Sequence, residues 1–195
     1  MSPSNPTDHE LDLTARRLVA GAELDDAAVT DVVRAAATKA GGAIVGLDNR
    51  IKELASVKRK LGVVIRQDPD LTVEDLADQL FDVLRFTVVS DAERYMAVRE
   101  AVLAILRQSD VTVVEERNRW TGPGYRGINV RLVTRDRRRF EIQFHTPESY
   151  AANKATRGLY EERRLETTSP QRREELDAAI DAVFGAVPTP LGAVP

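Results

Sequence analysis

Ile128-Asn129-Val130-Arg131-Leu132-Val133-Thr134, followed after Arg135-Asp136-Arg137-Arg138-Arg139 by Phe140-Glu141-Ile142-Gln143-Phe144-His145, is the stretch that decides the fold. Apolar and polar residues alternate in both runs, the period of a β-strand. Ile128, Val130 and Leu132 share one face; Phe140, Ile142 and Phe144 share the corresponding face of the second run. Asn129 and Arg131, and Glu141, Gln143 and His145, take the other. The short charged turn makes the two runs a hairpin with one apolar face for helices to cover. A polar sheet face is ordinarily a solvated one. Glu and Gln, however, suit solvent-facing strand positions less well than Thr, Lys or Arg, which makes this face a candidate for chemistry.

Working outward, Val83 to Val89 is a β-rich apolar run and Val111 to Arg117 a further strand. Between them Ser90-Asp91-Ala92-Glu93 has the form of a capping box, predicting a helix to about Gln108. Thr121 to Gly124 is a loop by composition. Thr146-Pro147 and Ser169-Pro170 are N-cap signals with proline at the first helical position, predicting helices to about Arg164 and Phe184. On the N-terminal side, helices are expected over Leu11–Gly21, Ala27–Ala40 (with Asp25 and Asp26 as capping candidates), Leu47–Arg66 and Val73–Leu80. Thr72 caps the last, and Asp68-Pro69 is the breaker before it. The order helices, β-α-β-β-β, helices predicts an α+β domain: a mixed sheet of four or five strands flanked by helices, packed on one face. The expected organisation is a disordered N-terminus over 1–10, a helical extension over 11–45, the main domain over 46–187 and a tail over 188–195.

The 195 residues suffice for one domain with a sizeable core, and 43% hydrophobic with 30% charged residues describes a soluble globular chain. A net charge of −3 does not mark a dedicated nucleic-acid binder. With no cysteine, disulfides and thiolate metal sites are excluded. No apolar run reaches the roughly 20 residues of a membrane span, and the Ser/Pro-rich start has no apolar core of a Sec signal peptide; a cytoplasmic site of action is expected.

The second informative stretch is Arg50 to Lys60, Arg-Ile-Lys-Glu-Leu-Ala-Ser-Val-Lys-Arg-Lys. Read as helix, its four-residue spacing puts Lys52, Ser56 and Lys60 on one stripe, suited to a triphosphate; a solvated basic face is the commoner meaning of a charge run. The chain's two histidines, His9 and His145, are too few and too distant for a zinc centre. Asp and Glu must carry any metal, which favours Mg²⁺. No nucleophile elbow and no Walker or Rossmann glycine loop occurs.

These residues resemble the synthetase domain of the RelA/SpoT family, ATP-dependent pyrophosphokinases that make alarmone nucleotides. Arg50, Lys52, Ser56 and Lys60 match every fixed position of that family's R-x-K-x-x-x-S-x-x-x-K motif. Gly124-Tyr125-Arg126-Gly127-Ile128-Asn129 matches the Gly, Tyr and Arg of G-Y-R-S-x-H. Glu141-Ile142-Gln143-Phe144-His145-Thr146 matches E-I-Q-x-R-T, with His145 in place of Arg. Asp82 and Arg85 resemble the family's metal-binding Asp and the Arg that follows it, at a shorter gap. The similarity covers about Gly46 to Arg164 and is strongest to a divergent branch in which such domains are toxins or effectors of bacterial conflict.

The resemblance implies a nucleotidyltransferase-like synthetase fold and an ATP:nucleotide 3′-pyrophosphokinase making (p)ppGpp- or (p)ppApp-type products. Arg50 and Arg85 would sandwich the ATP adenine, and Lys52, Ser56 and Lys60 would hold its phosphates. Asp82 and Glu141 would bind Mg²⁺, and Glu141 would help to activate the acceptor hydroxyl. Tyr125 would stack on the acceptor base; Arg126, Asn129, Gln143 and His145 complete the acceptor side. Implied partners are ATP, a purine nucleotide and, for a toxin, an antitoxin or immunity protein. Two alternatives stay open: pyrophosphorylation of the tRNA 3′ end, for which Arg117, Arg119, Arg126, Arg131, Arg135, Arg137, Arg138 and Arg139 could form a basic track, and a catalytically weak interaction module.

Overall fold

In the computed structural model of the chain, which describes residues 6–68 and 71–194, five strands form one mixed sheet in the order β1-β2-β5-β4-β3. They are β1 (Ala43–Val45), β2 (Arg85–Val89), β3 (Val111–Asn118), β4 (Ile128–Thr134) and β5 (Arg139–His145). β2 and β5 are parallel; the other pairs are antiparallel. The hairpin read from sequence is present, with Val130 opposite Ile142 and Leu132 opposite Phe140. Its turn uses Arg137 at φ 64°.

The apolar face carries Phe86, Val88, Val130, Leu132, Phe140, Ile142 and Phe144, all buried. Two helices cover it. In α1 (Asp8–Ala40) the buried stripe is Val29, Val33, Ala36 and Ala37; in α4 (Tyr95–Gln108) it is Val98, Val102, Leu103 and Leu106. Both stripes recur at three to four residues, as one helix face requires. Helices α2 (Leu54–Gln67) and α3 (Val73–Gln79) add Val57, Leu61 and Leu76 to the same core. Thus 11–45, read as an extension, supplies α1 and β1 to that core. After β5 follow α5 (Pro147–Ala155), α6 (Arg157–Arg163) and α7 (Pro170–Gly185). In the tail, Pro190 and Ala193 are buried, and Asn118 Nδ2 donates to the Ala193 carbonyl at 2.6 Å.

Several elements differ from the sequence reading. Helix α1 begins at Asp8, inside the segment expected to be disordered, because Thr7 and Glu10 form a reciprocal capping box; residues 1–5 lie outside the described ones. The helix runs unbroken through Gly21, Asp25 and Asp26. The two aspartates do not cap it: Asp25 pairs with Arg138, and Asp26 with Arg50 and Thr30. Only at Gly41, φ 78°, does it end, with Gly42 N–H bonded back to Ala37. β1 was missed because three residues carry no legible period. The helix expected over Leu47–Arg66 starts at Leu54, since Ile51 bridges Leu84 and Lys52 N–H donates to the Val83 carbonyl. It ends at Gln67; Pro69 of the expected breaker lies outside the described residues. Ser90 is held by the His145 carbonyl, so α4 starts at Tyr95 rather than at the expected capping box. Thr156 Oγ1 donates to the Ala152 carbonyl at 2.9 Å and divides the expected Pro147–Arg164 helix into α5 and α6. Finally, helices do not lie on one face only, as the site below shows.

Two glycines test these packing claims in opposite directions. A Cβ on Gly42 would meet Val88 Cγ1 at 2.8 Å and Val98 Cγ1 at 3.0 Å, both on stiff β-branched side chains, whereas one on Gly21 would meet nothing within 4 Å. Gly42→Ala should lower the urea midpoint by the equivalent of about 1–3 kcal/mol. Gly21→Ala, inside a helix, should raise stability by about 0.5–1 kcal/mol.

Candidate functional site

The site begins with a backbone junction. Arg85 N–H donates to the Arg50 carbonyl at 2.7 Å, and Glu141 N–H to the Leu84 carbonyl at 3.0 Å. The segment 82–85 is thereby held between Arg50–Lys52 on one side and β5 on the other. Three regions distant in sequence converge here, and register makes Arg85 the ladder neighbour of Glu141.

Asp82 sits at the centre. Lys52 Nζ lies 2.7 Å from its Oδ2 and Lys60 Nζ 2.7 Å from its Oδ1. The Lys60 ammonium meets buried Oδ1 at hydrogen-bond distance but in poor alignment, so charge carries that contact. Burial disfavours a charged Asp82, but the two ammonium groups outweigh it and hold the carboxyl well below the usual carboxylate range. Burial in turn lowers the Lys52 pKa, with Asp82 opposing. Glu141, the second carboxylate, is only 9% exposed. Its pKa is raised, first by burial and then by the charge of Asp82, against the pull of Arg85 and Lys60. Gln143 Nε2 donates to Glu141 Oε1 at 2.8 Å. The polar face is therefore not a solvated one: Glu141, Gln143 and His145 are all buried.

The stripe expected on a single helix is corrected. Lys52 precedes α2, and only Ser56 and Lys60 lie on it. Lys52 and Lys60 still meet, through Asp82. The Ser56 hydroxyl instead accepts from Arg59 Nη2 at 3.2 Å. Arg50 is also placed differently from the expected pairing with Arg85: its guanidinium forks onto Asp26 of α1 and donates to the Leu47 carbonyl. A cavity of about 310 Å³ opens there, lined by Asp26, Thr30, Leu47 and Arg50 among others. Asp26 was missed as a site neighbour because it was assigned to a helix cap.

A second cluster lies at the far end of β5. The Tyr125 hydroxyl donates to Asn129 Oδ1 at 2.7 Å and lies 2.9 Å from His145 Nε2. His145 Nδ1 is 2.8 Å from Ser149 Oγ. The Tyr125 ring stands edge-on to His145 at 5.2 Å and packs on Phe184 of α7 at 6.1 Å. Helices α5 and α7 thus cover this end of the polar face. Arg126 does not extend outward; its Nη1 donates to the Gly122 and Gly124 carbonyls. Gly127 is forced by proximity: a Cβ there would lie 2.9 Å from both the Phe144 carbonyl and the Tyr125 hydroxyl. Ser149 went unread, though its place three residues after Thr146 completes a capping box.

The described residues contain no group of three or more His, Cys, Asp or Glu suited to a metal. Two carboxylates suffice for Mg²⁺, which keeps waters and takes its remaining ligands from phosphates. Asp82, with a buried oxygen short of an aligned hydrogen bond, and Glu141, within its electrostatic reach, fit that donor set.

No protein-family model and no curated protein sequence matches this chain. Solved structures do. Small alarmone synthetase 1 from Bacillus subtilis superposes with a TM-score of 0.59 at 15% identity, over 87% of this chain and 90% of that one. Small alarmone synthetase 2 from Bacillus subtilis gives 0.54 at 14%, over 87% and 91%. The Type VI effector Tas1, solved with its immunity protein, gives 0.51 at 20%, over 88% and 96%. The chain shares the fold of the small alarmone synthetases and of this effector.

His145 makes the site's burial measurable. Burial, with the Arg85 cation adding, lowers its pKa from the usual 6.5 to about 4. Between those values the unfolded chain takes up a proton that the folded chain refuses, so stability falls as pH drops through this window. The loss should approach about 3 kcal/mol. Urea unfolding at pH 7 and pH 5 should show a weaker pH dependence in His145→Gln than in the parent.

Proposed function

We propose that this protein transfers the β,γ-pyrophosphoryl group of ATP to the 3′-hydroxyl of a purine nucleotide, with Mg²⁺. The observation that carries the reading is the convergence of Lys52, Lys60, Asp82, Arg85 and Glu141 at one junction. The shared fold supports it, as does the match of Arg50, Lys52, Ser56 and Lys60 to the motif described above.

In the proposed reaction the acceptor oxygen forms a bond to the β-phosphorus while the bond from that phosphorus to the α,β-bridging oxygen breaks. AMP leaves, and the hydroxyl proton passes to a base. Glu141 is the candidate base, a carboxylate on the polar sheet face held in orientation beside Arg85. Lys52 and Lys60 would neutralise the transferring phosphates, the main demand of phosphoryl chemistry. Asp82 and Glu141 would hold Mg²⁺, which would supply charge neutralisation for the transferring phosphates. Gln143 keeps Glu141 oriented. Arg85 stands beside Glu141 for the nucleotide. Arg50 would need to leave Asp26 to face the adenine.

The arginines weighed as a tRNA track favour a free nucleotide instead. Arg117 and Arg131 pair with Glu115, Arg138 with Asp25 and Arg139 with Asp78, while Arg126 binds its own loop. Three carboxylates thus interrupt the eight arginines, two of which share Glu115, whereas a phosphate backbone is best met by a continuous positive surface. The Type VI effector whose fold it shares was solved in complex with its immunity protein; growth inhibition, relieved by such a partner, is the biological role we attach to this activity.

Incubation of labelled ATP with AMP, ADP, ATP, GDP, GTP or tRNA should release AMP and label a nucleotide. Labelling of tRNA alone would transfer the reading to tRNA modification, and no AMP release with any acceptor from folded protein would sink it. Glu141→Gln and Asp82→Asn should each cut transfer at least about a hundredfold. Their stabilities should diverge. Removing the disfavoured Glu141 charge should leave the melting temperature at pH 7 unchanged or higher. Asp82→Asn strands two partly buried ammonium groups and should cost about 1–3 kcal/mol. In cells, growth arrest should disappear with Asp82→Asn.

A further inference from the structure

His145 and Asn129 are two of the three positions, with Gly127, where the chain departs from the motif residues it otherwise follows, and both bond the same atom, the Tyr125 hydroxyl. We propose that His145, Asn129 and Tyr125 form a hydrogen-bonded latch that sets the plane of the Tyr125 ring as one wall of the acceptor pocket, with His145 and Asn129 as positioning residues. The proposal rests on the pyrophosphate-transfer reading for the word acceptor, and on geometry alone for the latch.

His145 is 0% exposed. It therefore touches no nucleotide, and the expectation that it lies against the acceptor is replaced by an indirect role. Both of its ring nitrogens are occupied, by Tyr125 at 2.9 Å and Ser149 at 2.8 Å. Ser149 is itself fixed, accepting from Thr146 N–H at 3.0 Å in the cap of α5. The latch thus runs from a helix terminus, through the imidazole, to the tyrosine.

Proton counting fixes its polarity. The Tyr125 hydroxyl has one proton and gives it to Asn129 Oδ1. With the Asn129 amide oxygen facing Tyr125, His145 Nε2 must then donate to the Tyr125 oxygen, and Nδ1 accepts the Ser149 proton at 2.8 Å, shorter than that hydroxyl's alternative contact, the Thr146 carbonyl at 3.2 Å. Every donor finds an acceptor with the imidazole neutral, and its lowered pKa agrees. A ring anchored at its hydroxyl, stacked edge-on by His145 and backed by Phe184 has little freedom to rotate. Asn129, which holds the half-buried Tyr125, stands opposite Gln143 in the β4–β5 ladder, and Gln143 bonds Glu141. The wall therefore shares a sheet face with the candidate base, where an acceptor ribose would have to lie.

The test has two arms. In ¹⁵N-labelled protein only His9 and His145 report, and the exposed one is easily distinguished. His145 should appear as the neutral, Nε2-protonated tautomer at pH 6–7, and Tyr125→Phe should shift its Nε2 resonance. An imidazolium, or a ring insensitive to Tyr125→Phe, would overturn the latch without any reference to activity. In the transfer assay, Tyr125→Phe and Asn129→Ala should each raise the acceptor KM about three- to tenfold, leaving the ATP KM and kcat within about twofold. Because both remove the same bond, the double variant should be no worse than the worse single one. Multiplying effects, or effects on the ATP KM instead, would refute positioning through Tyr125. A Tyr125→Phe that disturbs His145 in a protein without transfer activity would uphold the latch and reject the proposed reaction.

Discussion

The ion triplet of Asp82 with Lys52 and Lys60 is the interaction on which the rest of the site depends. Its side chains are only partly solvated, at 13% for Asp82, 20% for Lys52 and 35% for Lys60, so none of the three charges tolerates loss of its partners. The triplet requires Lys52 to lie in the extended segment beside Val83 while Lys60 comes from the second turn of α2. It therefore constrains where α2 can start, how it docks, and where the turn before β2 can sit. It also leaves the cluster ready for exchange. In the proposed reaction, a triphosphate taking both lysines would free the Asp82 carboxylate, and a divalent cation would compensate it. Nucleotide and metal are thus expected to bind together better than either alone.

The parallel pair β2–β5 supplies the second constraint. It puts Arg85, Thr87 and Val89 level with Glu141, Gln143 and His145. Through β4 the same level runs on from Glu141 to Arg131 and Glu115. The result is a row of alternating charge across four strands, Arg85, Glu141, Arg131, Glu115, in which each cation has a carboxylate neighbour. Charge at one end of the face is consumed structurally, as in the Arg131–Glu115 pair, and left for chemistry at the other.

What could be read from sequence was what local pattern determines. The period of two in β4 and β5 fixed the hairpin and its faces, and Thr72, Thr146 and Ser169 marked helix starts correctly. The motif residues Lys52, Lys60, Asp82 and Glu141 do converge. What escaped was decided by partners remote in the chain. Lys52 left the helix because Leu84 and Val83 claimed the residues around it. Asp25 and Asp26 looked like caps until Arg138 and Arg50 arrived. The sequence places His145 on the acceptor side of the polar strand face, and only the packing of α5 and α7 shows it enclosed between Tyr125 and Ser149.

Calorimetric titration of ATP into the protein, with and without Mg²⁺, addresses the central claim before any acceptor is chosen. ATP should bind in the presence of Mg²⁺, weaken at least about tenfold when the metal is chelated, and lose that metal dependence in Asp82→Asn. Binding of equal strength with and without Mg²⁺, or unaltered in Asp82→Asn, would contradict the assignment of this cluster as the site of a metal–triphosphate complex.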